Sequence, residues 1–212
     1  MISNLSVELR WFFNGIVPAD VQDWFANQLP GNKPLQEKSR KDLYFIVRDR
    51  EDLGLKISRG TLELKWRQDS QPFSLSEPRI IGVQETWIKE KWRYAKEYAN
   101  NLEMAFGKPN LKGWRAEVQK TRSIRKHKVD TSGNVIDLAI DETAVRLLKI
   151  ELTSLTKHDR PWWTFAIELS GEPQNLHEIL AGAVKKILNG HPQLDLHADH
   201  SYGYPQWLAH SN

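Results

Sequence analysis

Residues 61–67, TLELKWR, place Leu62, Leu64 and Trp66 on one parity and Glu63, Lys65 and Arg67 on the other. A repeat of two is the side-chain period of a β-strand, so the segment reads as a strand with one apolar and one charged face. The pattern recurs along the chain. Within 5–13, Val7, Leu9 and Trp11 oppose Glu8 and Arg10; Lys56 and Ser58 share a face, as do Lys120 and Arg122. Glu151 lies opposite Ile150 and Leu152, and Glu168 opposite Ile167 and Leu169. A chain built this way has to form a sheet whose two faces meet very different surroundings.

Further strands are expected at 42–50, 53–58, 79–88, 114–129, 134–141, 146–155 and 162–171. Helical spacing predicts helices over 18–29, 89–106 (ending at Gly107) and 176–188, the last capped by Asn175 and stopped by Asn189-Gly190. Residues 30–34, 70–78 and 107–113 read as loops, being rich in Pro, Gly and Ser. Sequential strands with a few helices, without alternating βαβ units, point to the α+β class: a mainly antiparallel barrel or sandwich with peripheral helices. At 212 residues one domain spanning 1–212 suffices, with the last twenty or so residues expected as a solvated tail.

Composition excludes several function classes. Cysteine is absent, which removes disulfides, thiolate zinc sites and thiol nucleophiles and points to a cytoplasmic protein. No apolar run approaches the roughly 18–20 residues of a membrane helix, and MISNLSVELRWFF lacks the layout of a signal peptide. There is no G-x-x-x-x-G-K-[ST], G-x-G-x-x-G or G-x-S-x-G. The 30 basic and 27 acidic residues leave only +3, too balanced for bulk charge to identify a nucleic-acid binder.

The charged faces have two readings. They are the wet side of an antiparallel sheet, or they line a barrel whose interior holds a polyanion through Lys and Arg and a divalent cation through Glu. The order of the segments resembles the CYTH family, the triphosphate tunnel metalloenzymes. Ser6-Val7-Glu8-Leu9-Arg10 stands where that family opens with E-x-E-x-K, and Glu63-Leu64-Lys65-Trp66-Arg67 where it shows E-L-x-x-K. Lys56-Ile57-Ser58 is similar to its R-x-R, Lys120-Thr121-Arg122 to its K-x-R, Ala166-Ile167-Glu168 to its late E-x-E, and the closing SYGYPQWL to its terminal S-Y-x-x-L.

The resemblance implies a CYTH-like β-barrel, or tunnel, with peripheral helices. It implies a metal-dependent phosphohydrolase acting on an inorganic or organic triphosphate, with Mg²⁺ or Mn²⁺ as cofactor. Arg10, Lys56, Lys65, Arg67, Lys120 and Arg122 would bind the phosphates, and Glu8, Glu63 and Glu168 the metal. The first carboxylate of each E-x-E pair is replaced here, by Ser6 and Ala166. Fewer carboxylates weaken a hard-cation site, with Glu151 or Glu117 as substitutes. A non-catalytic polyphosphate- or nucleotide-binding relative is therefore the alternative.

Other features carry other expectations. KTRSIRKHK (120–128), with Trp114 nearby, is an RNA-binding strip or a tunnel face joined to a solvated hairpin. A lipocalin-like carrier of an apolar ligand would turn Leu62, Leu64 and Trp66 inward, and Trp87, Trp92, Trp162 and Trp163 could line it; core packing is their default. His191, His197 and His200 with Asp195 and Asp199 match no zinc spacing and read as part of the tail.

Overall fold

The computed structural model describes residues 4–76, 79–93, 114–130, 133–138, 142, 144–172, 174–188 and 194–211. Its strands are β1 (Asn4–Asn14), β2 (Leu35–Gln36), β3 (Arg40–Phe45), β4 (Leu53–Ser58), β5 (Thr61–Leu75), β6 (Ile80–Arg93), β7 (Arg115–Val129), β8 (Val135–Asp137), β9 (Leu147–Lys157) and β10 (Arg160–Ser170). The pairing runs β7-β3-β4-β5-β6-β1-β10-β9 and returns to β7, an antiparallel barrel of eight strands with β2 and β8 added to β7. Closure leaves these eight without a continuous free edge. Helix α1 (Ala19–Asp23) continues into a π-helical turn (Trp24–Gln28); α2 (Leu176–Ile187) and α3 (Tyr204–His210) follow β10.

Polarity is inverted relative to most barrels. Val7, Leu9 and Trp11 of β1, Ile150 and Leu152 of β9, and Phe165, Ile167 and Leu169 of β10 face outward, into a core shared with α2 and the π turn. Leu180, Ala183 and Val184 of α2 are fully buried there, with Trp24 and Phe25 beside them. Arg125 locks the π turn in place by donating to the carbonyls of Phe25 (2.9 Å), Ala26 (2.8 Å), Gly31 (3.3 Å) and Asn32. A second, aromatic cluster fills one end of the barrel. Phe12 stacks on Trp207 of α3 (5.1 Å between centroids) and on Tyr202 (5.3 Å), with Val118 and Leu155 around them. Lys157 fastens α3 by donating to the carbonyls of Leu208 (3.1 Å) and Ser211 (3.0 Å) at its C-terminus, where a cation also suits the helix dipole.

Several elements differ from expectation. β3 stops at Phe45 because Asp49 takes φ 56° and Arg50 N–H closes a turn onto Val47. β5 runs on through most of the expected 70–78 loop, past an irregularity between Arg67 and Asp69. Pro72 fits because β4 pairs no farther than Trp66, so the proline's missing N–H costs no ladder bond on that side. Residues 89–93, expected to begin a helix, continue β6 and pair with 61–65; the rest of that helix lies outside the described residues. Asn175 has φ 58° and makes no side-chain cap bond, and Asn189-Gly190 lies outside the described residues. The expected C-terminal tail is packed: Leu194, Leu196, Trp207 and Leu208 are buried. The interior also disposes of the apolar-carrier geometry, since Glu63 and Lys65 line the cavity rather than Leu62 and Leu64.

The outer wall supplies the first prediction. Leu9→Ala removes a fully buried side chain from the contact between β1 and α2. We expect it to lower unfolding free energy by about 2–5 kcal/mol, read as a lower urea midpoint at unchanged slope. A loss under ~0.5 kcal/mol, the size expected of a surface site, would place Leu9 elsewhere.

Candidate functional site

The half of the barrel left open by the aromatic plug encloses a cavity of about 840 Å³. Strand parity explains its lining: each strand whose outer face is apolar turns the alternate side chains inward, and those are mostly charged. Eight of the nine expected site residues meet there: Glu8, Arg10, Lys56, Glu63, Lys65, Lys120, Arg122 and Glu168. Arg67 does not. At the β5 irregularity it turns toward Glu85 and lines a separate depression with Ser201 and Tyr202. The cause is a seam: β1 and β6 part after Leu9–Gln84, and residues 194–204 fill the gap, with Tyr202 N–H bonded to Arg10 O and Ser201 Oγ accepting from Val83 N–H.

Each expected metal-binding carboxylate sits between two cations. Glu8 contacts Arg10 Nε (2.8 Å) and Lys65 Nζ (3.1 Å); Glu63 contacts Lys56 (2.6 Å) and Lys91 (2.9 Å); Glu168 contacts Lys149 (2.8 Å) and Lys89 (3.8 Å). Glu151, one expected substitute, is held by Arg122 (2.9 Å) and Arg10 (3.5 Å). Glu117, the other, points outward and is exposed beside Lys41. Glu8 and Glu168 are direct cross-strand neighbours. Among the described residues, no three acids, histidines or cysteines converge as a metal would need. This donor set does not fit a divalent cation, because lysine and arginine nitrogens occupy the carboxylate oxygens that would ligate it.

The electrostatics follow from burial set against pairing. Burial would raise Glu8, yet the charges of Arg10 and Lys65 and the Arg10 hydrogen bond bring it down to about 2. Glu63 is likewise opposed by burial and brought to about 2 by Lys56 and Lys91. Burial also works against Asp42, but Lys56, Lys120 and a hydrogen bond from Ser58 hold its carboxyl well below the usual range. Lys120 is the exception among the cations. Burial first, then the charge of Lys56, pushes its ammonium well below an ordinary lysine, against the pull of Asp42. It donates to Tyr44 Oη and lies 3.6 Å from the Tyr204 ring centroid.

Sequence patterning missed Lys89, Lys91 and Lys149 as lining residues. Lys89 and Lys91 share parity in KEKWR and Lys149 shares parity with Glu151, so the signal was present. Glu37, which bridges Arg40 and Arg122 (2.9 Å), comes from a loop and has no periodic signal. The basic run 120–128 is divided rather than a strip: Lys120, Arg122 and Lys126 face the cavity, Arg125 and His127 are buried in the wall, and Lys128 pairs with Glu142. Trp114 lies outside, beneath Arg48 (5.5 Å). Trp87 is buried in contact with Lys65 (4.4 Å to its ring), Trp163 stacks on Phe13, Trp162 packs on Trp207, and Trp92 is partly exposed. His197 faces Asp199 (3.3 Å) and His200 packs on Phe13; His191 lies outside the described residues.

No protein-family model matches the sequence, and no curated protein matches it. Among solved structures, the PH1819 protein from Pyrococcus horikoshii OT3 is similar at 13% identity and a TM-score of 0.42, over 98% of this chain and 99% of that one. No described helix is long and apolar enough to cross a membrane.

The depressed carboxylates fix an acid limit. Glu8 and Glu63 titrate at about 2 in the fold against an ordinary 4.5, so between those values the unfolded chain binds more protons. Their contribution to stability is fully present above 4.5 and is lost as pH falls toward 2. Urea midpoints measured from pH 6 to pH 2.5 should fall steeply below about 4.5; a flat profile across that range would contradict the paired interior.

Proposed function

We propose that the barrel interior binds a small polyanion of the triphosphate class. The observation that carries this reading is the charge inventory of the cavity. Thirteen lysines and arginines line it against five glutamates, an excess of eight positive charges, whereas the whole chain carries +3. The remainder of the protein is thus net −5, and the positive charge is concentrated in one enclosure. Asp42, buried beneath the lining beside Lys56 (3.3 Å) and Lys120 (3.7 Å), reduces the excess by only one.

Low-dielectric walls focus such a field and favour an anion that can touch several cations together. Arg10 and Arg122 offer planar donor forks suited to phosphate oxygens, and Lys56, Lys65 and Lys89 offer point charges around them. The volume falls in the range of small-molecule sites, roughly 300–1,000 Å³, which favours a compact phosphate chain over RNA. The reading agrees with the resemblance to the triphosphate tunnel family. Metal-dependent hydrolysis, the activity that the resemblance implies, is not favoured by this donor set: Glu8 and Glu168 would first have to release Arg10, Lys65, Lys89 and Lys149.

Calorimetric titration with tripolyphosphate tests the proposal, and phosphate release with Mg²⁺ or Mn²⁺ in the same samples separates binding from hydrolysis. We expect saturable one-to-one binding that weakens with added salt. Lys65→Ala and Arg122→Ala should each weaken it by about 1–3 kcal/mol, since Glu8, Glu37 and Glu151 each keep a second cation. Arg67→Ala, outside the cavity, should leave affinity unchanged while lowering stability through the bereaved Glu85. Equal affinity in all four proteins would place the anion elsewhere.

A further inference from the structure

The geometry points to a metal-independent site, in which Glu8, Glu63 and Glu168 are exchangeable counter-ions for the lysines and not ligands for a divalent cation. This inference rests on the polyphosphate reading and specifies how that site works. Six different cations hold the three carboxylates, two apiece, at 2.6–3.8 Å. A metal entering here must break those contacts and then add its own charge to a wall already rich in ammonium groups. An anion meets the opposite situation. Its oxygens can take over the donors of Lys56, Lys91, Lys65 and Lys89, each only partly buried at its side chain, and its negative charge offsets the excess of cations in the wall.

Glu63 shows the consequence most simply. In the empty cavity its two oxygens hold Lys56 and Lys91 on separate sides, preventing the pair from repelling each other. Once a phosphate lies between those lysines, the carboxylate becomes a like charge a few ångströms from the ligand and opposes binding. A metal-ligating glutamate would behave in the reverse way, since its removal would take binding energy from a metal-bridged anion. The sign of the Glu63→Gln effect therefore separates the two roles. Glutamine keeps the size of the side chain and one oxygen to accept from a lysine.

Tripolyphosphate binding is measured on the wild-type protein with EDTA present and then with excess Mg²⁺ or Mn²⁺, followed by Glu63→Gln under both conditions. The inference expects binding in EDTA, weaker apparent binding when the metal sequesters the phosphate chain, and roughly tenfold tighter binding in E63Q. Glu117→Gln, an exposed carboxylate outside the barrel, serves as the control and should change nothing. Binding that appears only with Mg²⁺ or Mn²⁺, or that E63Q weakens, overturns the inference and leaves the polyphosphate reading intact. No binding under either condition overturns the polyphosphate reading itself. If E63Q does not fold, the comparison of EDTA with metal on the wild-type protein still decides.

Discussion

Removing an ionised carboxylate from water costs several kcal/mol unless other charges replace the solvent, and this barrel places Glu8, Asp42, Glu85, Glu151 and Glu168 at no more than 6% exposure. Each is held by at least one lysine or arginine, and four of the five by two or more. Everything else about the molecule is arranged around that pairing. A polar interior cannot act as the hydrophobic core, so the apolar side chains of the same strands are forced outward. There they need a cover, and α2 with the π turn provides it.

The cover in turn depends on unusual local structure. The π turn exposes carbonyls that a regular helix would use internally, and Arg125 satisfies four backbone acceptors across this turn and the loop after it. On the opposite side, segment 194–204 enters the seam between β1 and β6 so closely that a Cβ on Gly82 would lie 2.9 Å from Ser201 Oγ. That segment then delivers Tyr204 and Trp207 into the barrel end, where Phe12 and Tyr44 receive them. The aromatic plug confines the charged space to one half of the barrel, which makes the cavity a pocket for a short ligand.

Much of this was legible because period two survives burial on either side of a strand. Residues 61–67 and 5–10 announce two faces, and the charged face proves to be the inner one, with Glu63, Lys65, Glu8 and Arg10 on the cavity. Parity alone does not say which face is inside; closure of β9 onto β7 decides that, and closure depends on pairs far apart in sequence, such as Arg122 with Thr153. Residues 89–93 looked helical because Lys and Glu are good helix formers, but pairing of Lys89 and Lys91 with Lys65 and Glu63 prevails. Arg67 shares the parity of Lys65 and still leaves the site, because an irregularity one residue later re-aims the strand. The C-terminal segment has no period at all, and its burial comes from aromatic fit with Phe12, which no local pattern reports.

The central claim is that the paired interior is also the place where an anion goes. The most direct measurement is a crystal structure of the protein grown with tripolyphosphate. The account predicts phosphate density inside the barrel, with oxygens at hydrogen-bond distance from Lys56, Lys65, Lys89 and Arg122 and with Glu63 displaced from Lys91. Phosphate bound only on the outer surface, with every interior glutamate still held by its two cations, would contradict it.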